Sequence, residues 1–416
     1  MRVLHTSDWH LGRSLFGQPR YDEFEKYLNW LHEEIVNRHI DVLIVAGDIF
    51  DVPSAPNRAQ NMYYRFLARL GATPCRHVVV VGGNHDSGTL LDAPREVLKA
   101  LNVHVVGEAI RNASGVVSPE DEVLVLRDGE ERPELLVAAV PYLRDADVST
   151  FAAGESFETT QEKVRKGIEV HYAAAARRVE EIRASLGEEI PAVATGHLCT
   201  KGGMTATGDG VRELRIGSLD GVDMSIFGEA FDYVALGHLH VPQKVAACEF
   251  VRYSGSPIPM GFGEAGQQKI CCIVEFEGRR RVVSTCEIPR FRQLEHIEGD
   301  WPSIASRLKN LIAQQKEVWV EIVNTGDVMV DLREKIDSAL CNSEIRCLRF
   351  MNSQNEREAS LSVTSCASLD ELDVETVFEK FLESKDNIWS EDDTKILWNC
   401  YRQIVREIGE ADLRAE

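Results

Sequence analysis

The 416-residue sequence has no apolar run long enough to span a bilayer, so membrane insertion is not expected. Ahead of its first strand-like run it has neither a charged leader nor a small-residue cleavage site, which points to the cytoplasm. Its ten cysteines are scattered without a CxxC pair, which excludes a zinc ribbon or redox dithiol; even the adjacent Cys271 and Cys272 are expected to act as small core hydrophobes. Positive charge is also scarce, 46 Lys and Arg against 67 Asp and Glu, for a net charge of −21. That balance argues against autonomous binding of a phosphate backbone. It leaves a nuclease possible, because bound divalent cations invert the potential around acidic ligands and a basic partner can hold the rest of the substrate. A merely soluble acidic protein would explain the charge equally well.

What is present is a globular composition, 44% hydrophobic and 27% charged, on a chain longer than one ordinary domain. Five polar motifs punctuate the first 240 residues: Asp8-Trp9-His10, Gly47-Asp48, Gly82-Gly83-Asn84-His85-Asp86, Gly196-His197 and Gly237-His238-Leu239-His240. They stand at the ends of the apolar runs Arg2–Thr6, Asp41–Ala46, His77–Val81, Ala192–Thr195 and Tyr233–Leu236. Such runs read as buried strands of a layered α/β fold, which places its chemistry in the loops beyond the strands' carboxyl ends.

Between the motifs, the pattern predicts helices from about Tyr21 to Arg38, over 57–70, ending at Leu101, and from about Glu162 to Leu186. Asp128-Gly129 and Glu277-Gly278 read as hairpin turns, and the core is expected to close near Ile288. Beyond Pro289 a β-α-β-α-β rhythm over 289–351 suggests a small second domain, then a polar linker, 352–366, and a tail, 367–416, with two amphipathic helices suited to docking.

Hydrolysis of a phosphodiester requires neutralised phosphate oxygens, an available hydroxide and a stabilised leaving oxygen, and two cations a few ångströms apart can supply all three. Asp8 and His10, one residue apart at a strand end, can turn toward one metal. Asp48 is placed to bridge, Asn84 can donate its amide oxygen, and His197, His238 and His240 complete two nitrogen-rich shells. His85 stands apart as a group facing the leaving oxygen, with Asp86 or another carboxylate able to keep it protonated. Singly these motifs mean little, since a lone histidine is usually a satisfied core or surface residue. As an ordered set at strand ends they have no packing explanation, because burying them unpaired would cost several kcal/mol apiece. Two other patterns carry less: Gly261–Gly266 satisfies GxGxxG but follows no strand and is read as a mobile loop, and Arg279-Arg280-Arg281 is read as a solvated hairpin tip.

The order DxH, GD, GNHD, GH, GHxH resembles the calcineurin-like metallophosphoesterases and, within them, the double-strand-break repair nucleases. The stretches His5–Gly12, Ala46–Asp51, Ala194–Leu198, Ala235–His240 and Tyr253–Pro259 narrow the resemblance. It implies an α/β layered metallophosphoesterase β-sandwich flanked by helices, with a small α+β capping domain and a C-terminal helical tail. It also implies two divalent ions, usually manganese, one held by Asp8, His10, Asp48 and His240, the other by Asp48, Asn84, His197 and His238, with His85 as the catalytic histidine. Exonuclease and endonuclease action on DNA ends and hairpins would follow. The tail would dock on a long coiled-coil ATPase, and a homodimer within a heterotetramer would form through the helices around 57–70 and 87–101, where Tyr63, Tyr64, Phe66 and Leu67 face either the partner or the core. A small-molecule phosphodiesterase or phosphatase, and a non-catalytic scaffold, stay open as alternatives.

Overall fold

The computed structural model describes residues 1–149, 157–187, 189–204, 221–326, 332–352 and 398. Residues 1–323 with 330–350 form one compact unit; the other comprises 324–329 and 351–416, and the expected linker and tail helices in it lie outside the described residues. Among the described residues no helix is long and apolar enough to cross a membrane.

The β-branched runs at 42–46 and 77–81 are buried along their whole length, which suits central strands covered on both faces. Strands Arg2–Thr6, Val42–Ala46, His77–Val81 and Val103–Val106 run parallel in a first sheet. Its other side is completed by Ile270–Glu277, antiparallel to Arg2–Thr6, and then Arg280–Glu287. A second six-stranded sheet has the order Gln243–Lys244, Val251–Tyr253, Tyr233–Gly237, Ala192–His197, Pro133–Ala138, Val123–Arg127, with its four inner strands parallel.

The sheets pack face to face through Val3, Ile44, Val79 and Val274 on one side and Leu135, Val193 and Ala235 on the other. Each such side chain withdrawn from water contributes about 1.5–3 kcal/mol. Helices Tyr21–Asn37 and Asn57–Leu70 cover the outer face of the first sheet, and the long helix Phe157–Leu186 covers that of the second. His5 stitches the sheets together: Nδ1 lies 3.0 Å from the Tyr233 hydroxyl and Nε2 3.2 Å from the Leu236 carbonyl. Burial lowers its pKa to about 3, so it serves as a neutral core histidine.

Two expectations change. The helix ending at Leu101 is two short helices, Gly88–Asp92 and Arg95–Lys99, interrupted at Pro94, whose ring and missing N–H prevent continuation. Tyr63, Phe66 and Leu67 point inward, with Phe66 edge-on to Trp9 at 5.5 Å and Tyr63 edge-on to Phe50 at 5.5 Å, so none of the three can meet a second chain. Tyr64 alone of the four is half-exposed.

Beyond Ile288, strands Gln293–Gly299, Val318–Asn324 and Ile345–Asn352 form a three-stranded sheet accompanied by helices Trp301–Ile312 and Leu332–Leu340. Asp300 caps the first of these helices by accepting the Ser303 N–H at 3.1 Å. Arg292 holds this module to the sandwich: its guanidinium lies 4.2 Å over the Trp319 ring and donates to Glu23 at 3.0 Å.

Candidate metal centre

All eight sequence-derived residues stand at the carboxyl ends of strands from both sheets, seven in the loops beyond and His197 as the last residue of Ala192–His197. The first sheet supplies Asp8, His10, Asp48, Asn84 and His85; the second supplies His197, His238 and His240. The local backbone is unusual. Asp8, His10, Asp48 and His238 all have positive φ, at 53°, 47°, 50° and 97°, a left-handed conformation that costs non-glycine residues on the order of 1–3 kcal/mol each. Backbone bonds hold two of these turns, with Asp8 N–H donating to Gly47 O and His10 N–H to Asp48 O, each at 2.9 Å. Gly237 is required at the seam, since a Cβ there would collide with the Ala46 carbonyl, and one on Gly47, itself at φ 90°, would strike the His197 ring.

The polar atoms converge in two groups. Asp48 Oδ2 lies 3.5 Å from His10 Nε2 and 3.2 Å from His197 Nε2. His10 Nε2 and His240 Nε2 face one another at 3.1 Å, and Asp8 lies with them. On the other side Asn84 Oδ1 lies 3.0 Å from His197 Nε2 and 3.1 Å from His238 Nδ1. His85 sits beside the groups, its ring edge-on to His10 at 4.9 Å, its backbone N–H donating to Asp48 Oδ1 at 2.9 Å and its Nδ1 2.9 Å from the Asp51 carbonyl.

Three carboxylates that sequence reading did not place in these roles support the cluster. Asp51 Oδ1 stands 3.3 Å from His10 Nδ1, and Glu264 Oε1 3.4 Å from His240 Nδ1, so each imidazole has a carboxylate behind the nitrogen opposite the cluster. Glu264 comes from the GxGxxG segment, which is packed rather than mobile: Phe262 and Glu264 are both buried, and Lys269 pairs with Glu264. Asp86 does not touch the His85 ring. It accepts the N–H groups of Ile49 at 3.0 Å, Phe50 at 2.9 Å and Gly83 at 2.9 Å, tying two ligand loops together. Of the three arginines read as a solvated hairpin tip, Arg280 is exposed, whereas Arg279 and Arg281 turn toward Asp232 at 3.1 and 3.7 Å.

Electrostatics follow from burial and crowding. For Asp48, desolvation favours the neutral acid, but the imidazoles of His197, His10 and His85 outweigh it and hold the carboxyl well below its usual range. Burial likewise opposes the imidazolium of His197, yet Asp48 and Asp8 raise its pKa to about 9. His238 is pushed down to about 3 by burial and by the neighbouring His197. Burial raises Asp86 to about 6, with Asp48 adding to the rise.

This donor set fits divalent cations. Several carboxylate, amide and imidazole donors meet in a buried space with nitrogen facing nitrogen, and His10 Nδ1, His240 Nδ1 and Glu264 Oε1 are buried without a well-formed hydrogen bond. The calcineurin-like phosphoesterase family matches residues 1–242, and the Type 5 capsule protein repressor C-terminal domain family matches 290–386. The SbcD component of the nuclease SbcCD from Escherichia coli K12 is 35% identical over 390 residues, covering 92% of this chain and 92% of that one. The chain belongs to the SbcD family. Members from Rhodobacter capsulatus, 35% identical over 75% of this chain and 76% of that one, and Bacillus subtilis, 31% identical over 66% of each, are similar too. Family membership makes the chain a phosphodiester hydrolase of calcineurin-like type.

Proposed function

We propose that the chain is a two-metal DNA nuclease, the hydrolytic component of an ATPase–nuclease complex that processes DNA ends and hairpins in repair and recombination. What supports this most is Asp48 Oδ2, within 3.5 Å of an imidazole nitrogen from one sheet and 3.2 Å of another from the opposite sheet, where a bridging carboxylate belongs. Asp8, His10, Asp48 and His240 hold one ion; Asp48, Asn84, His197 and His238 hold the other, both manganese. Such a pair supplies a phosphate clamp and a water of lowered pKa. The protein does the rest. Asp51 and Glu264 fix the rings of His10 and His240, so that Nε2 of each faces the centre. His85 Nδ1 donates to the Asp51 carbonyl, so Nε2 faces the centre; in the imidazolium form it carries a second proton, which passes to the departing oxygen and leaves the neutral ring.

The catalytic domain is 1–288, the capping domain 289–351, the linker 352–366, and 367–416 docks on a coiled-coil ATPase, in keeping with the relatives' being named as one component of the SbcCD nuclease. In the cytoplasm, two copies meet in a heterotetramer through the 57–70 and 87–101 region, where Tyr64 is half-exposed and Val97 is 71% and Leu101 44% exposed. The test is purified protein with manganese on duplex ends, hairpins and a chromogenic phosphodiester. DNA cleavage that Asp48→Ala abolishes is expected; hydrolysis of the small diester alone would make this a small-molecule phosphodiesterase instead.

A further inference from the structure

The strands Ser14–Leu15 and Gln18–Pro19 form a small hairpin closed by Phe16 and Gly17. Both tip residues have positive φ, 47° and 78°. Tips of this kind take asparagine and glycine; a bulky side chain is strained there. Phe16 also leaves 49% of its surface in solvent, so packing accounts for only part of its presence. A strained, exposed aromatic ring points to a use.

One neighbour of the ring is Phe262, stacked at 5.8 Å and 21° and itself buried with Leu15, Leu294 and Trp319. Another is the Arg349 guanidinium, 5.3 Å from the ring centroid. Elsewhere the same pairing is tighter, 3.8 Å for Arg281 over Phe250 and 4.2 Å for Arg292 over Trp319. Phe16 borders a groove of about 720 Å³ between the sandwich and the capping module, whose lining sets Arg13, Arg290 and Arg349 against Glu295 and Glu321. Arginine outnumbers acid three to two in this lining, in a chain of net charge −21, with Arg349 lying 3.0 Å from Glu321 and Arg13 3.0 Å from Asp51. The groove reaches toward two carboxylates that back the proposed ligands. Arg13 donates to Asp51, the carboxylate behind His10, at 3.0 Å, and Phe262 lies two residues from Glu264, the carboxylate behind His240.

We propose that this groove receives an unpaired nucleotide of a single-stranded or frayed DNA end, its base stacking on the Phe16 ring in place of the Arg349 guanidinium and its backbone phosphates met by Arg13, Arg290 and the displaced Arg349. The inference rests on the nuclease reading above. A base inside a duplex already has both faces covered by its neighbours; a free base can use an aromatic platform, and stacking tolerates any sequence. The platform makes the hydrolytic centre favour melted DNA and places the strand beside it.

The experiment uses the full chain loaded with manganese, as wild type, Phe16→Ala and Phe16→Trp, with thermal melting as the folding control. Each is assayed on a single-stranded oligonucleotide carrying 2-aminopurine and on a chromogenic phosphodiester. For Phe16→Ala the ratio of kcat/KM on the oligonucleotide to that on the chromogenic diester should fall about tenfold, mostly through KM, the scale of one lost base–aromatic stack. Phe16→Trp should restore the ratio, and 2-aminopurine fluorescence should be quenched by wild type and Phe16→Trp but not by Phe16→Ala. An unchanged ratio and equal quenching across the three proteins, with DNA cleaved normally, would overturn the platform while leaving the nuclease standing. Wild-type protein that hydrolyses the chromogenic diester but cleaves no DNA would remove both.

Discussion

The two sheets bring unlike chemistry to the same seam. The first contributes the carboxylates and the amide, Asp8, Asp48 and Asn84, with only His10 among its proposed ligands; the second contributes imidazoles alone, His197, His238 and His240. Neither set makes a centre by itself. Carboxylates without the facing histidines would form a crowded buried anion, and histidines without the carboxylates would face one another with no counter-charge. Site geometry is therefore a property of sheet-on-sheet packing, set by valines and alanines that touch no ligand.

The largest test removes Asp48, whose carboxylate meets imidazoles from both sheets. Asp48→Ala should lower turnover by at least about a thousandfold, and metal analysis should find both ions lost. His85→Ala should separate chemistry from binding, retaining two ions per chain while kcat falls about a hundredfold or more. Gly237→Ala attacks the seam without altering a donor. Its Cβ meets the Ala46 carbonyl, so the sheets must shift; about 1–3 kcal/mol of stability and about a hundredfold in activity should be lost, read by melting and by turnover. If Gly237→Ala were silent, the packing account of the site would fail. Glu264→Gln probes the second sheet's support alone and should weaken metal affinity about 10- to 100-fold, measured by titration.

The smallest effect is a proton count. Asp48 and Asp8 hold His197 at about 9, so it is protonated at pH 7 and must lose that proton to become a ligand. Calorimetry in buffers of different ionisation enthalpy should detect release near one proton per chain from this residue, fading as the pH passes 9.

Legibility in the sequence followed the same division. Strands with continuous β-branched runs, such as 77–81, and ligands standing just beyond them could be read because burial and function imprint opposite chemistry on adjacent residues. The inward turn of Tyr63, Phe66 and Leu67 could not, since an amphipathic helix does not say whether its apolar stripe meets its own sheet or another chain. Nor could Asp51 and Glu264. Each is one acid among 67, and only the fold sets it behind a particular imidazole. The GxGxxG segment misleads for the same reason, its glycines suggesting looseness while Phe262 and Glu264 anchor it from within.

One feature of the first sheet bears on how the protein is made. Arg2–Thr6, which leads into Asp8, lies between Val42–Ala46 and Ile270–Glu277, so this strand gains its second neighbour only after some 270 further residues have been synthesised. Until then the Asp8 loop hangs from a sheet edge, and the last ligand, His240, has itself only just emerged. A nascent chain therefore lacks a complete first sheet for most of the translation of these residues, and a truncated product ending before residue 270 is expected to be inactive on DNA.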